Sequence, residues 1–418
     1  MTSLRPISQD ISTGADYEVV AAKYRPLFAK IEAGAIDREQ NRILPYEQIQ
    51  WLKEAGFGAV RVPVHYGGDG VSIPQLFQLL IELARADSNI PQALRGHFAF
   101  VEDRLNAHRD SNQEVWFKRF VAGEIAGNAW TEIGSVKIGD VITRVSQKDG
   151  KWVVNGQKYY TTGSIFADWL DLFAQVDGSN ENVVAVTRVK QAGVDIRDDW
   201  DGFGQRTTGS GTAYLTDAQV EEENILAFDS RFKYQTAFYQ LVLLAVLTGT
   251  GIAAVKTFSE QVRQRTRVFS HGNGTRVDQD PQVLQVIGKA SAQAYAAEAI
   301  TIRAAQASQL AYEAHFVQGA DQQPHESEQQ ANILAEIESA QGQVVIADLI
   351  LSATSNLFNA LSASATSSQK QLDRFWRNAR TAASHNPLIY KEKSIGDWEV
   401  NGTEPIYVWQ IGGGSKQQ

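Results

Sequence analysis

Between Tyr17 and Phe120 apolar residues recur three and four apart, as in YEQIQWLKEAGF and PQLFQLLIELARAD. That spacing predicts helices that each bury one face. The turn Val62-Pro63-Val64-His65-Tyr66-Gly67-Gly68 interrupts them. From Trp130 to about Val220 the period shortens. DVITRVSQ, KWVVNGQKYYTT, WLDLFAQV, NVVAVTRV and TAYLTDAQV are rich in β-branched and aromatic residues and are separated by Asp-Gly, Asn-Gly and Gly-Ser turns. They predict short strands in a small antiparallel unit. Helical spacing returns from about Ser230, broken at Pro281 and at the polar stretch GADQQPHESEQQ, which reads as an inter-helix loop. SASATSS (Ser362–Ser368) reads as another loop, and no internal repeat is present. Helices, then strands, then helices make an α+β protein by segregation, with domains over 1–125, 126–229 and 230–418.

The run FYQLVLLAVLTGTGIAAV, between Lys233 and Lys256, is just long enough to span a bilayer. Its apolar centre is short and polar residues interrupt both ends, so a buried bundle helix is expected. Within it, Gly249-Thr250-Gly251-Ile252-Ala253-Ala254 fits the dinucleotide fingerprint G-x-G-x-x-A. No strand with an acidic ribose ligand follows, so these small residues read as a close helix–helix contact. The N-terminus has neither an apolar core nor a small-residue cleavage site, and a cytoplasmic protein without membrane association is expected.

Composition removes several chemistries. Forty-eight acidic against 39 basic residues leave a formal charge of −9, which argues against a nucleic-acid partner. There is no Cys, and Met1 is the sole Met, so disulfides, thiolate nucleophiles and Cys-ligated metals are excluded. None of the seven His residues sits in a helical metal-ligand spacing, and no metal is expected, although dispersed ligands stay open.

Four segments in order carry a resemblance. They are Leu52–Gly70; Ala129-Trp130-Thr131-Glu132-Ile133-Gly134-Ser135; Trp200 with Gly204-Gln205-Arg206-Thr207-Thr208-Gly209-Ser210; and Arg263–Phe269 with Gln282–Gln285. Together they resemble the acyl-CoA dehydrogenase superfamily across nearly the whole chain. The resemblance implies an N-terminal helical domain, a middle β-barrel and a C-terminal four-helix bundle. It also implies a flavin between barrel and bundle, and a homotetramer built as a dimer of dimers. Toward the C-terminus, Leu372–Thr381, His385-Asn386-Pro387 and Tyr390-Lys391 resemble the flavin-dependent monooxygenases of this fold that oxidise organosulfur compounds. Gly127-Asn128-Ala129 and Lys158–Gly163 match the same branch.

A dehydrogenase of this fold needs a carboxylate base to remove a proton as hydride leaves. His385-Asn386-Pro387 and Tyr239-Gln240 stand at its two usual positions, and neither offers one. An oxygenase needs donors at the flavin edge and a dry pocket in which a C4a-(hydro)peroxide survives. The resemblance implies Asn128 and Thr162 at that edge and His385 facing the peroxide, these three being the catalytic candidates. It further implies cofactor contacts from Trp130, Thr131, Ile133, Lys158, Tyr160 and Thr161, and a substrate pocket that includes His97, Trp200 and Tyr239. Plainer readings stay open: His385 as a helix cap, Trp200 as barrel core, Asn128 and Thr162 as turn residues. Ala382 replaces a second C-terminal His of that branch, and Gly96 replaces a pocket Tyr, which implies a different substrate.

FAD-using relatives hold adenine with a Gly-rich loop. The equivalent stretch, Asn359–Thr366, has no glycine, so FMN fits better than FAD. Arg267 is the expected cross-subunit phosphate partner, with Arg377 and Arg380 behind it, unless these form bundle salt bridges. The expected function is a two-component monooxygenase: a separate NAD(P)H:flavin reductase supplies FMNH2, which reacts with O2 to oxygenate a small substrate. An acyl-CoA dehydrogenase with a relocated base is the alternative, and a non-catalytic binding protein the second. The near-absence of sulfur suits a protein made during sulfur scavenging, or one that generates an oxidant and is safer without oxidisable side chains; the first reading points to an organosulfur substrate.

Overall fold

The computed structural model describes residues 15–132, 141–179, 181–317 and 326–408. Seven helices come first: α1 (Tyr17–Ala33), α2 (Ala35–Asn41), α3 (Tyr46–Glu54), α4 (Ile73–Ala86), α5 (Asn89–Ala93), α6 (Arg95–Ala107) and α7 (Glu114–Val121). Asp16 caps α1, and Ser72 with Gln75 closes a reciprocal capping box on α4. Eight strands follow: β1 (Ala126–Ala129), β2 (Arg144–Lys148), β3 (Lys151–Lys158), β4 (Trp169–Val176), β5 (Asn182–Arg188), β6 (Val194–Ile196), β7 (Ala213–Val220) and β8 (Ile225–Ala227). Five helices complete the chain: α8 (Gln235–Gln264), α9 (Pro281–His315), α10 (Glu326–Asn356), α11 (Arg374–Ala383) and α12 (Leu388–Asn401).

The strands form one sheet in the order β6-β7-β3-β2-β4-β5-β8, with β1 on β4. It is mixed, not wholly antiparallel: β1 and β2 both run parallel to β4. The sheet curls about its own apolar interior of Val145, Val154, Leu170, Leu172, Val183 and Leu215. Gln191 reaches from β5's end to the Gln219 carbonyl of β7 at 3.0 Å, holding the curl across the sheet.

GADQQPHESEQQ departs from the loop expectation. Its last five residues are the first turn of α10, and Glu328 bonds His315 at 2.9 Å; residues 318–325 lie outside the described part. Acidic residues suit a helix N-terminus, which is why a polar stretch here folds into the helix. SASATSS is wound into tight 3₁₀ turns, with Ala365 buried.

The long apolar run is α8, and 78% of its apolar window is buried within the protein. It is the central helix of the molecule. One core joins Tyr24 and Phe28 of α1 and Leu76 and Leu80 of α4 to Leu241 and Leu244 of α8 and Ile346 and Ile350 of α10. The N-terminal helices and the bundle are therefore one packed body, with the sheet beside it. Gly249 makes that packing possible. A Cβ there would stand 2.4 Å from Ala84 Cβ and 2.7 Å from the Ile81 carbonyl, so the G-x-G-x-x-A segment is an α4–α8 contact and not a nucleotide turn.

Candidate functional site

Four elements meet where helical body and sheet join: the start of α6, strand β1, the first turn of α8, and the junction of α11 and α12. Gly96, in the first turn of α6, brings that helix onto β1. A Cβ on it would lie 2.7 Å from Asn128 Oδ1 and 3.0 Å from the Asn128 amide. The α11 end is placed from the other side. Asn378 Oδ1 accepts from the Gln205 amide at 2.6 Å, and Arg377 bonds Glu39 at 2.7 Å and the Phe203 carbonyl at 2.9 Å.

At this junction Arg95 Nη2 donates to His385 Nε2 at 2.9 Å. Arginine only donates, so Nε2 carries the lone pair and Nδ1–H donates to Asn386 Oδ1 at 2.9 Å. His385 is an exposed residue whose imidazole is flanked by Arg95 and Asn386. Loss of hydration and the Arg95 cation hold its pKa down at about 3, so the imidazole is neutral at pH 7. Both ring nitrogens are thus engaged, by Arg95 and by Asn386. The Arg95 guanidinium lies over the Tyr239 ring at 5.0 Å, and Tyr239 packs edge-on to Trp130 at 6.4 Å. The structure thus brings together four of the sequence-derived residues, Asn128, Trp130, Tyr239 and His385, around Arg95.

Sequence reasoning missed Arg95. A signal existed: it is a cation within NIPQALRGHFAF, with no acidic residue three or four positions away on either side. Thr162, also expected here, bonds Ser210 at 2.7 Å, and Ser210 bonds Thr208 at 2.8 Å, so its hydroxyl begins a buried chain of three. Trp200 is half-buried, donates to the Gly204 and Gln205 carbonyls, and meets the exposed Tyr160 edge-on at 5.8 Å. Thr131 accepts from the Tyr159 amide through its carbonyl.

The other expected residues have these contacts in the structure. His97 is fully buried; its Nε2–H donates to the Gly58 carbonyl at 2.9 Å and its Nδ1 accepts from the Ala126 amide at 3.2 Å. It ties α6 to the start of β1 and is not a pocket wall. Lys158, expected at the cofactor, pairs at 2.7 Å with Glu132, which also accepts from the Ile142 and Thr143 amides. Thr161 has its amide, hydroxyl and carbonyl all engaged, with Gly211 and Ser164. Arg377 is in salt bridges with Glu39 and Asp373, and Arg380 bonds Ser384. Arg267 is exposed beyond the far end of α8. At the usual rise per residue it is about 37 Å of helix away from Tyr239, out of reach within one chain. Ile133 lies outside the described residues, and no group of three or more His or acidic side chains suited to a metal occurs among those described.

The cluster suits a flavin. Asn128 Oδ1 and Trp130 Nε1 are buried and have no partner. Buried polar atoms without partners are costly, and a ring system edged with carbonyls and an N–H satisfies both donors and acceptors. Aromatic Trp130, Phe173 and Phe228 stack beside it and supply an apolar flank.

Comparison with known proteins agrees. Residues 18–124 match the acyl-CoA dehydrogenase N-terminal domain and residues 241–388 the acyl-CoA dehydrogenase C-terminal domain, together more than half of the chain. Dibenzothiophene monooxygenase of Mycolicibacterium goodii is 25% identical over 405 residues, covering 91% of this chain and 94% of that protein. A probable FMNH2-dependent monooxygenase, SfnC of Pseudomonas putida, is 23% identical over 388 residues, covering 91% and 94%. The FMN-bound structure of TdsC from Paenibacillus sp. A11-2 superposes with a TM-score of 0.81 at 25% identity, covering 93% of this chain and 98% of that one. The chain belongs to the acyl-CoA dehydrogenase superfamily.

Proposed function

We propose that this chain is the oxygenase of a two-component system that takes FMNH2 from a separate NAD(P)H:flavin reductase and oxygenates a small organosulfur compound. The observation that carries this is the pair of unpartnered buried atoms Asn128 Oδ1 and Trp130 Nε1 at the sheet edge, with His385 and Tyr239 standing at the two positions where a dehydrogenase of this fold carries its carboxylate. A dehydrogenase needs a base there. The buried Glu336, near the first turn of α8, is spent on the Ala237 amide at 2.7 Å.

Reduced FMN, when bound, supplies the electrons that activate O2. The chain's own residues hold and shield it. Asn128 Oδ1 and Trp130 Nε1 would meet the ring edge, and the Thr162–Ser210–Thr208 hydroxyls would border it. Trp130, Phe173 and Phe228 exclude water on one flank, which strengthens every polar contact inside. Neutral His385, held by Arg95 and Asn386, lines the substrate side with Tyr239. Assembly as a homotetramer is supported by apolar side chains left exposed on long helices, among them Leu284, Tyr295, Ile389 and Val400. Arg267 would then reach the phosphate of a neighbouring subunit's FMN, in the cytoplasm where reduced flavin is made.

The test mixes the protein with an unrelated flavin reductase, NADH, FMN, ¹⁸O2 and a panel of organosulfur substrates. One labelled oxygen should appear in the product. His385→Ala should lower product per NADH roughly a hundredfold while hydrogen peroxide rises, the scale seen when a single preorganised group is removed from a site. Failure to bind FMN, or product oxygen drawn only from water, overturns the reading.

A further inference from the structure

Five arginines among the described residues are no more than 6% exposed: Arg38, Arg61, Arg95, Arg104 and Arg231. Four meet a carboxylate: Arg38 with Asp87, Arg61 with Glu102, Arg104 with Asp103, and Arg231 with Asp103 and Asp171. Arg95 meets none. Its described partners are a neutral imidazole and a phenol ring, and its Nε has no partner at all. A buried cation without a counter-charge is costly and survives where a ligand completes it. Burial pushes its pKa down only to about 10, so it remains a cation at neutral pH.

The cation also stands at a particular place. It is held between Tyr239 of α8 and His385 of the α11–α12 junction, both from the helical body and not from the sheet that carries Trp130 and Asn128. The buried Tyr239 hydroxyl, likewise unpartnered, is a second donor beside it. A planar guanidinium with free N–H and a phenol O–H match an oxyanion head group, and a neutral sulfone or thioether would leave the charge unmatched.

We propose that Arg95 is the anchor for a negatively charged substrate, a small organic sulfinate, sulfonate or carboxylate whose oxyanion head supplies the missing counter-charge. This deepens the monooxygenase reading and rests on it for what happens after binding, but the binding itself is measured separately.

Equilibrium titrations on the full-length chain loaded with oxidised FMN, in chloride-free and sulfate-free buffer, compare methanesulfinate, methanesulfonate and propionate with neutral dimethyl sulfone. At least one anion should bind more than tenfold more tightly than the sulfone. Arg95→Gln should erase that preference while FMN affinity stays within twofold, and Arg95→Lys should keep part of it. The relative affinities of the three anions tell a sulfur oxyanion from a carboxylate. Equal or better binding of dimethyl sulfone overturns the proposal. So does an Arg95→Gln protein that melts cooperatively but loses FMN instead of the anion, since Arg95 would then serve the cofactor. If Arg95→Gln does not fold, the wild-type comparison and Arg95→Lys decide. Absence of FMN binding in the wild type sinks the monooxygenase reading alone, and the anion comparison is then made on the flavin-free chain.

Discussion

His97 and His385 are both neutral histidines, but they do opposite work. His97 is fully enclosed, and burial holds its pKa down at about 4 against an ordinary 6.5. The sign follows from a folded value below the unfolded one. The stabilisation is complete above about pH 6.5 and is lost as pH falls through about 4, amounting to roughly 3 kcal/mol. Urea unfolding across that range should therefore show a pH-dependent loss that is missing in His97→Gln, a variant already weaker at pH 7. The sequence suggested a pocket role for His97 because it cannot distinguish a histidine bonded to Gly58 and Ala126 from one open to a ligand. Asn128, Tyr239 and His385 were legible because each sits in a segment resembling a family pattern. Arg95 sits outside those patterns, and its want of a carboxylate is a fact about residues far away in sequence.

At the scale of elements, periodicity served well. It separated the helices from the strands and recognised α8 as a core helix. It failed at Glu326–Gln330, where polarity looks the same in a loop and in the first turn of a helix. The glycines of the bundle allow a sharper test. Gly→Ala in a helix interior ordinarily gains about 1 kcal/mol from propensity. At Gly288 of α9 a Cβ meets nothing within 4 Å, so Gly288→Ala should raise the melting temperature. At Gly249 the Cβ would press on Ala84 and on the Ile81 backbone, and overpacking of about 1–3 kcal/mol outweighs the propensity gain. Gly249→Ala should melt lower than wild type, and Gly249→Val lower still. Equal melting of the two alanine variants would refute the close α4–α8 packing.

The whole molecule has three segments along the chain but two bodies in space, because α1 and α4 share a core with α8 and α10. The site takes residues from the helical body and from the sheet, so a ligand that fills it couples them. FMN at a hundredfold its Kd should stabilise the fold by about 2.7 kcal/mol. Scanning calorimetry should show one transition moving up as a unit; an early transition left unmoved by FMN would mean that the sheet and helical body do not share the ligand.

The order of helices and strands, the missing carboxylate at the two usual base positions and the near-absence of sulfur were set by the sequence alone, since each is a property of local spacing or of composition. The tertiary structure decided which charges are matched. Arg61 finds Glu102 41 positions away and Arg38 finds Asp87 49 away, while Arg95 reaches 290 positions to His385 and finds no charge. Pairing over such distances depends on how helices pack and not on what stands nearby in the chain, and so only the folded molecule could reveal that Arg95, alone among the buried arginines of the described residues, meets no carboxylate.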